Sequence, residues 1–125
     1  MKLILKLLPQ PIYKDEDATY YNGFSRNGET IGATEYIRFV YPETNMIYVG
    51  KVQSSFLNHE NNQMMVEVQL YPYAPKADQH FLEADIPVTQ CFMTFATMEI
   101  GLNCVIGKCR MVYTPKKIEN ASVYN

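Results

Sequence analysis

The clearest hydrophobic pattern lies between residues 47 and 71, where two strand-like runs flank a polar break. Ile47 to Phe56 is rich in β-branched and aromatic residues, and Gln63 to Tyr71 alternates apolar with polar positions. Successive strand side chains project to opposite faces, so the second run has one core face. That face comprises Met64, Val66, Val68 and Leu70. The pattern predicts a central antiparallel hairpin that turns at Asn58 to Asn62.

Shorter runs predict further strands around this hairpin, because an isolated two-stranded ribbon is marginally stable. Thr19 to Phe24 is an aromatic strand signal, although Asn22-Gly23 within it equally fits a tight turn. Asn27-Gly28 is a clearer hairpin turn, and Pro42 to Asn45 is a second turn. The other predicted strands are Glu29 to Gly32, Glu35 to Tyr41, Gln90 to Phe95 and Asn103 to Tyr113, the last with a kink at Gly107.

The two ends and one inner segment lack this alternation. The apolar run Met1 to Leu8 is interrupted by Lys6, so we interpret it as an edge strand rather than a signal peptide or membrane span. Residues 9–18 predict a solvated connection, and residues 74–86 predict a loop with at most one helical turn. We therefore expect an N-terminal strand and connection (1–18), a β domain (19–114) and a polar tail (115–125).

Composition agrees with a single β-rich domain. The chain has 125 residues, of which 47% are hydrophobic, and it holds ten Tyr, six Phe and seven Pro. This length is sufficient to bury a core without disulfides. A formal net charge of −2 argues against a protein whose main task is to coat phosphate backbones.

Residues suited to metal binding or catalysis are sparse. Cys91, Cys104 and Cys109 are odd in number and lie in or beside apolar runs, which favours buried free thiols over disulfides. His59 and His80 have no paired ligand spacing, so we expect no metal and no cofactor.

Enzyme signatures are missing from the sequence, which has no phosphate-binding glycine loop, nucleophile elbow or metalloprotease helix. His59 and Glu60 are a conceivable catalytic pair, but their place in a polar break favours a charged hairpin tip. We expect a protein without catalytic activity.

Two groups of residues are candidates for binding. The cationic group fits a modest nucleic-acid contact, or else a solvated strand edge whose lysines block aggregation. It comprises Lys108, Arg110, Lys116 and Lys117. The tyrosine group lies on or after the central hairpin and suits a partner-binding rim, with core packing as the alternative. It comprises Tyr48, Tyr71 and Tyr73.

Two segments also carry a family resemblance. Tyr48-Val-Gly-Lys-Val52 and the run Asn62 to Tyr71 match a Tyr-hydrophobic-Ala/Gly-Lys/Arg-Ile/Val strand and a Gly-Gln-Met-Met hairpin. Gln90 to Thr94 and Asn103 to Val112 match a Glu-hydrophobic-Phe strand and an Ile-x-Gly-Lys-Cys-x-Val closing strand. Across about Tyr20 to Tyr113 the chain thus resembles the bromo-adjacent homology (BAH) domain of chromatin proteins.

The resemblance implies a mainly β, single-domain distorted barrel with long irregular loops, acting in the nucleus. Its implied role is to bind a histone, nucleosome or silencing partner. The positions that match the methyl-lysine cage of some members are Tyr48, Leu70, Tyr71 and Pro72. Since Leu70 and Pro72 replace aromatic residues there, weak discrimination of methylated lysine is expected. The alternative function is a small assembly subunit that uses strand edges for protein contact and has no chromatin role.

Overall fold

The computed structural model describes residues 2–71, 85–87 and 96–112, which form a mainly β structure with antiparallel sheets. Eleven strands lie within these ranges, and a 3₁₀ turn at Leu102–Cys104 precedes the last one. The strands are β1 Leu5–Leu7, β2 Pro11–Lys14, β3 Ala18–Tyr21, β4 Gly23–Arg26, β5 Glu29–Gly32, β6 Tyr36–Val40, β7 Ile47–Asn58, β8 Gln63–Tyr71, β9 Asp85–Pro87, β10 Thr97–Gly101 and β11 Val105–Val112. No helix among the described residues has the length and apolar character needed to cross a membrane.

The predicted central hairpin is confirmed as β7 paired with β8. Its register places Val52 opposite Val68 and Asn58 opposite Gln63. Val66 and Val68 are fully buried, while the other two residues of the predicted core face are partly buried against the same cluster. The alternation in the second run therefore identified the correct face.

Strand β7 is the longest element and has neighbours along both edges. One edge pairs with β8, and the other pairs with β6 over residues 47–51 and with β3 over residues 55–58. The register of β7 against β8 shifts between Val52 and Ser54, which is a β-bulge at Gln53. Strand β10 extends the sheet beyond β8, and β11 extends it beyond β6.

A smaller sheet of β1, β4 and β5 packs on one face of this large sheet. Its buried Phe24 and Ile31 join the main core, and Leu5 and Leu7 pack against that core. The β4–β5 turn at Asn27-Gly28 has φ angles of 50° and 87°, so the predicted hairpin is confirmed and has the left-handed residues that tight hairpins need. Asn22 separates β3 from β4, where the chain passes from one sheet to the other.

Several predicted boundaries were wrong. Residues 11–14, expected in a solvated connection, form β2 and pair with β3, because Asp15 accepts hydrogen bonds from the Asp17 and Ala18 amides and closes a tight turn. Asp85–Pro87, assigned mainly to a loop, is a short strand parallel to β11. Strand β10 was not predicted. Next to the predicted kink at Gly107, the register of β11 against β6 shifts between Val105 and Gly107.

Some predictions fall outside the described residues. These are most of the 74–86 loop, the strand at Gln90 to Phe95 and the tail at 115–125. Within the ranges that are described, no strand pairing closes either sheet into a barrel.

Gly50 packs directly against two core side chains, and this close packing gives a stability prediction. A Cβ atom there would lie 2.8 Å from Val68 Cβ and 2.9 Å from Phe39 Cε1. We expect Gly50→Ala to lower the free energy of unfolding by about 1–3 kcal/mol through overpacking. Gly107→Ala is the matched control, since no atom of the described residues lies within 4 Å of a Cβ at that strand glycine. Equal denaturant midpoints for the two variants would contradict this interpretation.

Candidate functional site

The predicted tyrosine group does not form one surface in the described part of the chain. Tyr48 packs on the main core and its ring contacts Phe39 and Tyr41, with centroid distances of 6.3 and 5.4 Å. Tyr71 lies opposite Val49 and makes an edge contact with Tyr36 at 5.7 Å. Because neighbouring strand residues face opposite ways, Tyr48 and Tyr71 lie on opposite faces of the sheet.

The positions that match the methyl-lysine cage are divided in the same way. Leu70 lies opposite Gly50 and packs against the main core, on the face that Tyr48 shares. Tyr71 belongs to the other face, with Val49 and Cys109. Pro72 and Tyr73 lie outside the described residues.

The cationic group is partly neutralised. Lys108 Nζ lies 2.7 Å from Glu35 Oε2, so this lysine is engaged in an ion pair. Arg110 is exposed on β11. Lys116 and Lys117 lie outside the described residues, so the structure describes two of the four cations, Lys108 and Arg110.

A row of aromatic rings crosses the outer face of the large sheet at its β2–β3–β7 end. The Tyr20 ring lies 5.9 Å from that of Tyr13 and 5.5 Å from that of Phe56, centroid to centroid. The pairing of Tyr20 with Phe56 places these rings on one face, opposite to Val66 and Val68. Tyr13 is 61% exposed, so the row is accessible from its β2 end.

An acidic groove lies on one side of Tyr20. Its volume is about 560 Å³, and four carboxylate residues contribute to its wall. The described residues that line it are Glu16, Asp17, Ala18, Tyr20, Phe56, Asn58, His59, Glu60 and Glu99, among which there is no lysine or arginine. Burial, followed by the charges of Asp15, Glu99, Glu67 and Asp17, raises the pKa of Tyr20. The groove is therefore a site of negative potential with aromatic walls.

His59 holds two sides of this groove together. Its Nδ1 lies 3.0 Å from the Glu16 carbonyl oxygen, and its Nε2 lies 2.7 Å from Thr19 Oγ1. A carbonyl only accepts, so Nδ1 donates to it, and in a neutral ring Nε2 accepts the Thr19 hydroxyl proton. The His59 amide also donates to the Asp17 carbonyl. This histidine connects the β7–β8 turn to the acidic turn before β3.

An apolar groove lies on the other side of Tyr20, with a volume of about 300 Å³. Its described lining is Ile12, Tyr13, Asp15, Tyr20, Tyr21, Asn22, Ala33, Gln53, Ser54 and Ser55. Ile12 and Tyr13, which both line this groove, are 60% and 61% exposed. Ser55 is 1% exposed, and its hydroxyl has no hydrogen-bond partner in the described structure.

Arg38 is a buried cation outside both grooves. It is 6% exposed, and its Nε and Nη1 atoms have no hydrogen-bond partner in the described structure. It lies opposite Val49 on β7, at the far end of the outer face from Tyr20. Its guanidinium therefore does not neutralise the acidic groove.

The described residues contain no cluster of three or more histidine, cysteine or acidic residues arranged to hold a metal ion. Cys104 is a half-buried free thiol, and Cys109 is buried. Cys91 and His80 fall outside the described residues.

Most of this site was missed by sequence analysis. Asp15 to Asp17 were assigned to a connection and His59-Glu60 to a hairpin tip, without any sign that the two are adjacent. The available signal was Tyr13 and Tyr20 on either side of an acidic turn, which is the pattern of a second hairpin. The contribution of Glu99 had no local signal, because it depends on pairing of β10 with β8.

No protein-family model matches the chain, and a search of curated proteins found no significant match.

The Glu35–Lys108 ion pair generates a pH prediction. A hydrogen bond from Lys108, and another from the Gly32 amide, lower the pKa of Glu35, with burial opposing them. A carboxylate whose folded-state pKa is depressed stabilises the fold above its unfolded pKa of about 4.3 and loses that contribution as pH falls. We expect Glu35→Gln to destabilise by about 0.5–1 kcal/mol at pH 7 and by almost nothing at pH 3. Urea unfolding at both values checks this.

Glu43→Gln is the control for that measurement, since Glu43 is an exposed turn residue whose carboxylate meets a tyrosine hydroxyl rather than a cation. A loss of stability in Glu35→Gln that is equal at pH 3 and pH 7 would show that the effect is not ionic.

Proposed function

We propose that this chain is a non-enzymatic protein-interaction module that binds a cationic protein segment across Tyr20. In this proposal the segment belongs to a histone tail or to a basic subunit of a chromatin complex, and the protein acts in the nucleus. The BAH resemblance supports the chromatin context, the role in silencing or transcription regulation, and the barrel-like arrangement of the sheets.

The acidic groove is the observation that carries the proposal. Glu16, Asp17, Glu60 and Glu99 surround it, and none of the described lining residues is a lysine or arginine. Four carboxylates in one concave site repel one another, so a cationic side chain entering the groove gains both attraction and relief of this repulsion. Such complementarity raises association rates and selects partners by charge.

The aromatic row adds a second attraction for cations. Tyr20 and Phe56 lie side by side at the groove wall. A lysine or arginine over a tyrosine face gains about 0.5–1 kcal/mol at an exposed site. Two adjacent rings do not enclose a quaternary ammonium, so this site favours positive charge in general rather than the trimethylated form.

The proposal keeps the predicted partner-binding group, Tyr48, Tyr71 and Tyr73, as residues separate from the acidic groove. Tyr71 and Tyr36 belong to the outer face that also carries Tyr20. A long segment running along that face from the acidic groove would pass Tyr71. Tyr48 faces the core, so it supports such binding by stabilising the sheet and not by contacting the partner.

One observation favours the alternative, an assembly subunit without a chromatin role. Strand β2 pairs with β3 alone among the described strands, and its Ile12 and Tyr13 are 60% and 61% exposed. An edge strand with exposed apolar side chains is a site for protein association. Self-association that is lost in Tyr13→Lys, measured by sedimentation, would favour this function.

The test of the proposed function is a titration with a lysine- and arginine-rich histone-tail peptide and with an acidic peptide of equal length. We expect the basic peptide alone to bind. The double substitution Glu60→Gln with Glu99→Gln should weaken binding on the order of tenfold, or about 1.4 kcal/mol. Trimethylation of the lysines in the basic peptide should change its affinity for the protein by less than about tenfold.

The control removes two charges from elsewhere, through Glu29→Gln with Glu43→Gln, both exposed residues outside the groove. Equal weakening by the two double variants would indicate a response to net charge rather than to this groove. Absence of binding by the basic peptide would overturn the proposal.

A further inference from the structure

The two grooves meet at one side chain. Tyr20 is the aromatic residue that lines both the acidic groove and the apolar groove. The rings of Tyr13 and Phe56 lie on either side of it, at 5.9 and 5.5 Å. The surface therefore presents an apolar depression and an acidic depression separated by a single ring.

We propose that the partner segment is extended and places a large apolar side chain in the apolar groove and a lysine or arginine in the acidic groove, two residues apart. This inference rests on the proposed function and adds its sequence requirement. Residues i and i+2 of an extended chain project on the same side, about 6.6 Å apart. Two such side chains can therefore enter neighbouring grooves that share Tyr20 as a wall.

The apolar groove has the properties of a side-chain receptor. Its volume of about 300 Å³ exceeds that of any single aliphatic side chain, and it is bordered by the exposed Ile12 and Tyr13. Adjacent exposed apolar side chains beside a groove form a patch of the kind found at interaction sites. The acidic groove beside it determines the charge of what enters, so the occupant is a basic protein segment.

The test uses four peptides in a Gly/Ser background, observed by ¹⁵N–¹H correlation spectra of the full chain. The first has Leu at position i and Lys at i+2, the second has Ser in place of Leu, the third has Gln in place of Lys, and the fourth has Leu moved to i+1. We expect the first peptide to bind about tenfold tighter than the second and the fourth, which is about 1.4 kcal/mol. The third should bind more weakly than the first.

Two protein variants connect this gain to the groove. Ala33→Leu adds bulk to the groove wall, and Ile12→Ser removes part of its rim. In both, the advantage of the first peptide over the second should fall to less than about threefold, while the affinity for the second stays unchanged. Met46→Ser is the matched control, because Met46 is 51% exposed in a turn that lines neither groove. It should keep the full advantage.

The outcomes separate the two proposals. If the Lys peptides bind but Leu at i gives no advantage over Leu at i+1, the two-groove inference is overturned and the proposed function stands. If no Lys peptide binds, the proposed function is overturned together with this inference. An advantage that persists in both groove variants, each shown to be folded by its spectrum, would place the apolar contact elsewhere and overturn the inference.

Discussion

The bulge at Gln53 in β7 is the constraint on which the arrangement of both faces depends. Before it, Val52 faces the core opposite Val68, and after it Ser55 faces the core opposite Val66. A regular strand would have sent residues 52, 54 and 56 to one face. The inserted residue reverses this order, so Phe56 lies on the outer face beside Tyr20. Without the bulge, the Phe56 ring would face the core and would not belong to the aromatic row.

The same alternation explains why one sheet serves two purposes. Its inner face supplies fully buried residues such as Phe39 and Val68, and the small β1–β4–β5 sheet covers it. The outer face keeps tyrosines and carboxylates at the β2–β3–β7 end. Tyr48 and Tyr71 lie next to the same strand pairing but on opposite faces, since adjacent positions of paired strands alternate. Proximity in sequence is therefore a poor indicator of a shared surface in this fold.

The hairpin of β7 and β8 was predictable because Gln63 to Tyr71 alternates cleanly and one face must be buried. The hairpin at Asn27-Gly28 was predictable because the turn chemistry is specific. Strand β2 was missed because Pro9 and Pro11 signalled a break, although proline is tolerated at the first residue of an edge strand. The bulge has no periodic signature. The juxtaposition of Asp17, His59 and Glu99 results from long-range strand pairing that no local pattern contains.

The acidic groove also has a cost within the fold. Its carboxylates repel one another, and like charges held close together destabilise the folded state. Backbone ties offset part of this cost: Asp15 accepts two amide hydrogen bonds in its turn, and His59 bonds to the Glu16 carbonyl and the Thr19 hydroxyl. These contacts order the backbone that carries Glu16 and Asp17 without neutralising their charges. Because this backbone is already ordered, a cation entering the groove does not have to order it, so more of the electrostatic attraction is available as binding free energy.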